Sequence, residues 1–188
     1  ACCLSCTPRT ALGYAMKNVV LIGFMGTGKT SVGRLLAARL GCAFHDLDKK
    51  IEEAHGMTIP EMFVRHGEPY FRAREKEAVA AAAARRNLVV ATGGGVVKDA
   101  ENMRALRKNG IIVALTADID TILARTAARG QRPVLDRADA GDRRAAVAAL
   151  MEERQLLYAG ADVTVDTTGR APLEIAEYIM QTIRIWRK

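Results

Sequence analysis

From Met16 onward, short unbroken apolar runs alternate with segments whose apolar residues recur every three or four positions. A short continuous run suits a strand buried on both faces, and a 3.6-residue period suits a helix packed along one stripe. Residues 18–22 read as a first strand ended by Gly23. Lys29–Leu40 reads as a helix with Val32, Leu35, Leu36 and Leu40 inward and Gly41 as its stop. Ala43–Asp46 is a second strand, and helical stretches broken near Gly56 and Gly67 follow to residue 85. Leu88–Ala91 is a third strand, 99–108 a helix, 111–115 a fourth strand and 118–128 another helix. Helix returns at 143–158, a fifth strand at 162–165 and a last helix at 172–186, the latter with Leu173, Ala176, Ile179, Met180 and Ile183 inward. Between them, 129–141 is rich in Arg, Asp, Gly and Pro and loses periodicity, which predicts a mobile lid.

Alternating strands and helices predict an α/β fold of three layers, a parallel sheet covered by helices on both faces. Right-handed crossovers bring the loops after the strands to one sheet edge. Residues 1–15 carry neither period and are expected to be a disordered N-terminal extension or a remnant of expression, leaving 16–188 as one domain. Three of the four cysteines, Cys2, Cys3 and Cys6, crowd into that stretch, with Cys42 alone in the body. A disulfide framework would spread them out, so reduced thiols and a cytoplasmic protein are expected. The apolar runs are broken by Gly, Lys or Arg before they could span a bilayer, so no membrane partner is expected. The net charge of +7 fits an anionic partner, but with 5% aromatic residues there is no stripe of bases and rings suited to nucleic acid.

The strongest chemistry lies at Gly23-Phe24-Met25-Gly26-Thr27-Gly28-Lys29-Thr30, a full G-x-x-x-x-G-K-[ST] between a predicted strand and a predicted helix. Glycines let successive N–H groups face phosphate oxygens, and the helix N-terminus adds partial positive charge. Gly26, Thr27, Gly28, Lys29, Thr30 and Ser31 are therefore nucleotide-binding candidates, with Lys29 for the β- and γ-phosphates and Thr30 for Mg²⁺. The motif fixes a nucleoside triphosphate site without choosing among kinases, GTPases and motor ATPases.

Asp46 and Asp48 flank Leu47 at the end of the second strand. If the strand continues they project to one side, one to hold Mg²⁺ through water and the other to bind or deprotonate an acceptor hydroxyl. Alternatively, one of the two caps the following helix. Thr92-Gly93-Gly94-Gly95 follows the third strand, where three glycines let a ligand approach the backbone. No carboxylate ends that strand, so Asp46 is the best substitute for the usual metal-site acid.

With Val32-Gly33 after the loop, Gly67-Glu68-x-x-Phe71-Arg72-x-x-Glu75, the triple glycine, Arg132-Pro133 and Glu153-Arg154-x-x-x-Tyr158 in this order, residues 16 to about 185 resemble the bacterial shikimate kinases. The resemblance implies a fold like nucleoside monophosphate kinases, five parallel strands in the order 2-3-1-4-5 and a closing lid. It implies ATP and Mg²⁺, shikimate as a small-molecule acceptor, and a monomer. Asp48 would bind shikimate hydroxyls and serve as the base. Arg72 and Arg154 would clamp its carboxylate, with Gly93, Gly94 and Gly95 beside it and Glu75 orienting Arg72. Arg132 would reach the transferring phosphate from the lid, and Arg125 and Arg170 would flank the adenine. The loop reads Lys29-Thr30-Ser31 where Lys-Ser-Thr is usual, which keeps both hydroxyls.

Taken singly, Arg72 and Glu75 also suit a surface ion pair, and Arg154 beside Glu152 and Glu153 a solvated helix face. Gluconate kinase is the nearest alternative among kinases. A non-catalytic relative would have lost Lys29, Asp48 or a clamp arginine, and all are present.

Overall fold

Five parallel strands lie side by side in the order β2-β3-β1-β4-β5: β1 is Asn18–Gly23, β2 Ala43–Asp46, β3 Leu88–Ala91, β4 Gly110–Thr116 and β5 Val163–Asp166. This computed structural model describes residues 16–127 and 140–185. Residues 1–15, Arg132 and most of the expected lid lie outside the described residues. The helices are α1 Lys29–Leu40, α2 Leu47–His55, α3 Ile59–Ala83, α4 Ala100–Asn109, α5 Ile119–Ala127, α6 Ala140–Ala159 and α7 Pro172–Ile185. Architecture and strand order are those the sequence led us to expect.

Strand β1 is central, with Val20 level with Val90 of β3 and Ile112 of β4. Successive side chains alternate across the sheet, so a wholly apolar strand feeds two cores. Val20 and Ile22 join Leu47, Val79, Leu106 and Ile122 on one face. Val19 and Leu21 join Val32 and Leu36 of α1 and Ile175, Ile179 and Ile183 of α7 on the other. Each such side chain, fully withdrawn from water, contributes about 1.5–3 kcal/mol.

Two inward residues differ from the sequence reading. Leu35 is 36% exposed, and the contact side of α1 is built from Val32, Gly33, Leu36 and Ala37. Leu173 is 40% exposed, and Ile175 takes its place in the core. In both cases most of the expected stripe is buried and only its edge shifts, to Gly33 and Ala37 in α1 and to Ile175 in α7, because an apolar stripe is wider than the contact it makes.

Helix α3 breaks at Gly67, whose φ of 80° and ψ of 171° are not helical, just before Pro69. Its start is held by a reciprocal cap between Thr58 and Glu61. The break lets the second half, from Glu68, run along the sheet and carry Arg72 and Glu75 toward the ends of β2 and β3. β1 is flanked by β3 on one side and β4 on the other, so the chain reverses its direction of winding there. The loop after β1 therefore sits in the crevice where open α/β sheets bind ligands.

Candidate active site

The loop leaving β1 is shaped for an anion. Gly26 and Gly28 have φ of 80° and 93°, which side-chain-bearing residues seldom adopt. Gly28 is the N-cap of α1 and supplies no side-chain cap, so first-turn N–H groups remain available for phosphate. The Thr27 hydroxyl donates to the Phe24 carbonyl at 2.8 Å and pins the loop from inside. The Lys29 ammonium folds over it, donating to the carbonyls of Gly23 at 2.8 Å and Phe24 at 2.9 Å. Ser31 stands in the first turn of α1, beside Thr30.

Thr30 donates its hydroxyl proton to Oδ2 of Asp46 at 2.8 Å. The other oxygen of Asp46 caps α2 by accepting from the Lys49 N–H. The helix begins at Leu47, directly after β2, so the two aspartates are not presented by one continued strand. Asp46 stays at the strand end and Asp48 enters the site from the first turn of α2. The two still share one electrostatic environment. Burial pushes Asp48 up to about 6, the Asp46 carboxylate adds to that rise and the Lys29 ammonium opposes it. A hydroxyl and a carboxylate oxygen side by side suit a hard cation that takes few protein ligands and fills its shell with water and phosphate oxygens.

Across the crevice, Arg72 is held by two acids. Its Nη1 donates to Glu75 at 2.8 Å, and its Nε and Nη2 donate to Glu68 at 3.0 and 2.9 Å. Glu75 is only 2% exposed, so this is no surface pair. Burial raises the Glu75 pKa and Arg72 opposes the rise. The glycines after β3 make room for these groups. A Cβ on Gly93 would lie 2.6 Å from Oδ1 of Asp48 and 3.2 Å from Oε1 of Glu75, and one on Gly95 would collide with the Arg72 guanidinium. Arg154 of α6 donates from Nη1 to the Gly94 carbonyl at 3.2 Å and lies over the Phe24 ring at 5.4 Å. It therefore turns into the site, while Glu153 faces outward to Lys98. Asp48, Arg72, Arg154 and the triple glycine meet beside the phosphate loop.

On the far side of the loop, Arg125 donates to the Gly26 carbonyl at 3.3 Å and to the hydroxyl and carbonyl of Thr167 at 3.1 and 2.9 Å. Arg170 lies over the Tyr178 ring and reaches the Asp166 carbonyl. Sequence reasoning missed two supports. Thr167, fully buried just after β5, ties Arg125 to the sheet. Phe24 underlies Arg154 from a variable position of the phosphate loop. A polar residue directly after a buried strand was the available signal for Thr167; nothing in the sequence marked Phe24.

The sequence model described as shikimate kinase matches residues 25–184. A shikimate kinase of Geobacter metallireducens is 47% identical over 88% of this chain and 90% of its own length. One from Persephonella marina is 40% identical over 90% of this chain and all of its own. The structure of shikimate kinase from Acinetobacter baumannii in complex with shikimate superposes with a TM-score of 0.83 at 38% identity, covering 89% of this chain and 93% of that one. Sequence likeness of this depth over nearly the whole chain, on the same fold, makes this protein a member of the shikimate kinase family.

Proposed function

We propose that the chain transfers the γ-phosphoryl group of ATP to the 3-hydroxyl of shikimate, giving shikimate 3-phosphate and ADP on the route to chorismate and the aromatic amino acids. One observation carries the reading: the phosphate loop and a pocket of one carboxylate and two arginines open onto the same sheet edge, with glycines between them. That is the arrangement an in-line transfer between two anions needs.

In this reading Arg72 and Arg154 hold the acceptor carboxylate through paired N–H donors, and the Gly94 backbone lies against the ring. Asp48 accepts the proton of the attacking hydroxyl. As that O–H breaks, the new O–P bond forms and the bond from phosphorus to the β,γ-bridging oxygen breaks, leaving ADP. Lys29 and the loop N–H groups take up the charge on the phosphate oxygens. Arg132, from the lid, adds to that charge in the transition state. Thr30 directly and Asp46 through water would hold Mg²⁺, which when bound would neutralise charge on the phosphates. Arg125 and Arg170 flank the adenine. The reading includes a cytoplasmic monomer without nucleic-acid or membrane partners; among the described residues no helix is long and apolar enough to cross a membrane.

The test is coupled ADP release with shikimate, with gluconate and with no acceptor. Turnover with shikimate alone is expected. Turnover with gluconate in its place would make the chain a sugar-acid kinase of the same fold, and equal release without acceptor would make it a hydrolase.

A further inference from the structure

Three polar groups in α6 are buried without a full hydrogen bond among the described residues, Nε of Arg143, Nε of Arg154 and the hydroxyl of Tyr158, and the last two belong together. Such groups are rare, because an unmade buried hydrogen bond costs its full desolvation. These two stand one helical turn apart, at i and i+4, so they share a face. A helical side chain leans toward the N-terminus, which tips the Tyr158 ring back over Arg154. Both meet the same third residue. The Arg154 guanidinium lies over the Phe24 ring, and Phe24 packs in one core cluster with Tyr158, which is 8% exposed. Burial raises the Tyr158 pKa, and the Arg154 charge together with a hydrogen-bonding approach of its side chain counters the rise, so the two groups already lie within reach of each other although neither completes a well-formed bond. Phe24, Thr27, Met151 and Tyr158 also line a cavity of about 480 Å³ between α6 and the sheet, so the Tyr158 ring has room to adjust.

We propose that Tyr158 is a positioning residue for the acceptor clamp: when the acceptor carboxylate binds, the Arg154 guanidinium swings the short way needed for the Tyr158 hydroxyl to accept its Nε–H in a full hydrogen bond. The bond satisfies both orphaned groups at once. It also turns the edge bearing the two terminal nitrogens away from Tyr158 and toward the carboxylate, which takes two parallel donors from that edge. Tyr158 touches no substrate in this arrangement and acts only through Arg154. The inference rests on the proposed acceptor.

Tyr158→Phe is the variant to test, because it keeps the ring in the core and removes only the oxygen. It is expected to raise the KM for shikimate about three- to tenfold, the range for one lost hydrogen bond of ordinary net strength, with kcat and the KM for ATP within about twofold. Its unfolding midpoint without ligands should change little, since the hydroxyl completes no full hydrogen bond there. With the methyl ester of shikimate as acceptor the penalty should disappear, and in an Arg154→Ala background the second substitution should add nothing. An unchanged shikimate KM, equal penalties for acid and ester, or additivity with Arg154→Ala would overturn the proposal. A wild-type chain inactive on shikimate would overturn the functional reading itself, a failure visible before any variant is compared.

Discussion

Thr30 and Asp46 are joined by a 2.8 Å hydrogen bond between the first turn of α1 and the end of β2, sixteen residues apart in sequence. Neither element is adjacent to the other in the sheet order: β3 lies between β1 and β2. The bond thus spans the crevice that the strand order opens. It sets two hard oxygen atoms side by side, and Asp46 is further fixed because its other oxygen caps α2.

Thr30→Ser keeps a hydroxyl in that place and is expected to retain activity within about tenfold. Thr30→Val keeps the shape and removes the ligand. It should lose at least about a hundredfold in kcat/KM, as loss of a metal or oxyanion contact commonly does. Titrating Mg²⁺ in steady-state assays checks this: the Val variant should need much more of it, and the Ser variant little more.

Asp48 sits near 6 because burial and Asp46 disfavour its charged form. As the proposed base it would have to be ionised, so kcat/KM for the acceptor should fall tenfold per pH unit below about 6 and level off above. The stability sign is opposite to that of a salt-bridged acid. The folded pKa is above the unfolded one, so the charged carboxylate costs stability above about pH 6, and the cost vanishes below about pH 4. Asp48→Asn should therefore abolish turnover yet gain about 1–2 kcal/mol at pH 8, a gain absent at pH 4. Denaturant unfolding at the two pH values measures it.

Arg72 is gripped by Glu68 and Glu75, and Glu75 is buried. Lysine keeps the charge but not the fork. Arg72→Lys is expected to raise the acceptor KM about ten- to a hundredfold, with the KM for ATP little altered. Arg72→Ala should also lower the unfolding midpoint, because it leaves the Glu75 carboxylate buried without its cation; about 3–5 kcal/mol is usual for breaking a buried pair, and less is expected here because Arg72 is partly exposed. Kinetics with each substrate varied, beside thermal unfolding, separates the two effects.

Gly93 adopts no positive φ, so alanine there introduces no backbone strain. The added methyl would press on Oδ1 of Asp48 and Oε1 of Glu75. Gly93→Ala is expected to fold, to bind nucleotide as wild type does and to lose about a hundredfold or more in acceptor turnover, since a displacement of about 1 Å at a reacting group has that effect. Nucleotide binding by calorimetry and acceptor kinetics check the two halves.

The sequence by itself determined the elements and the phosphate loop. The apolar runs of β1, β3 and β4 read as strands buried on both faces where helices alternate with them, and the glycine spacing of residues 23–30 needs no tertiary context to be read. It left open which arginines face inward. Arg72 and Glu75 have the spacing of any surface ion pair, and Arg154 sits among exposed acids; only packing buries Glu75 and turns Arg154 over Phe24. The edge positions that expose Leu35 and Leu173 were equally out of reach, because an apolar stripe is wider than the contact it makes. Local pattern reports what a residue's neighbours in the chain require of it. Charge placement in a site depends on groups brought from Phe24, Asp48, Gly93 and Arg154 at once, and that convergence exists only after the sheet has ordered its strands.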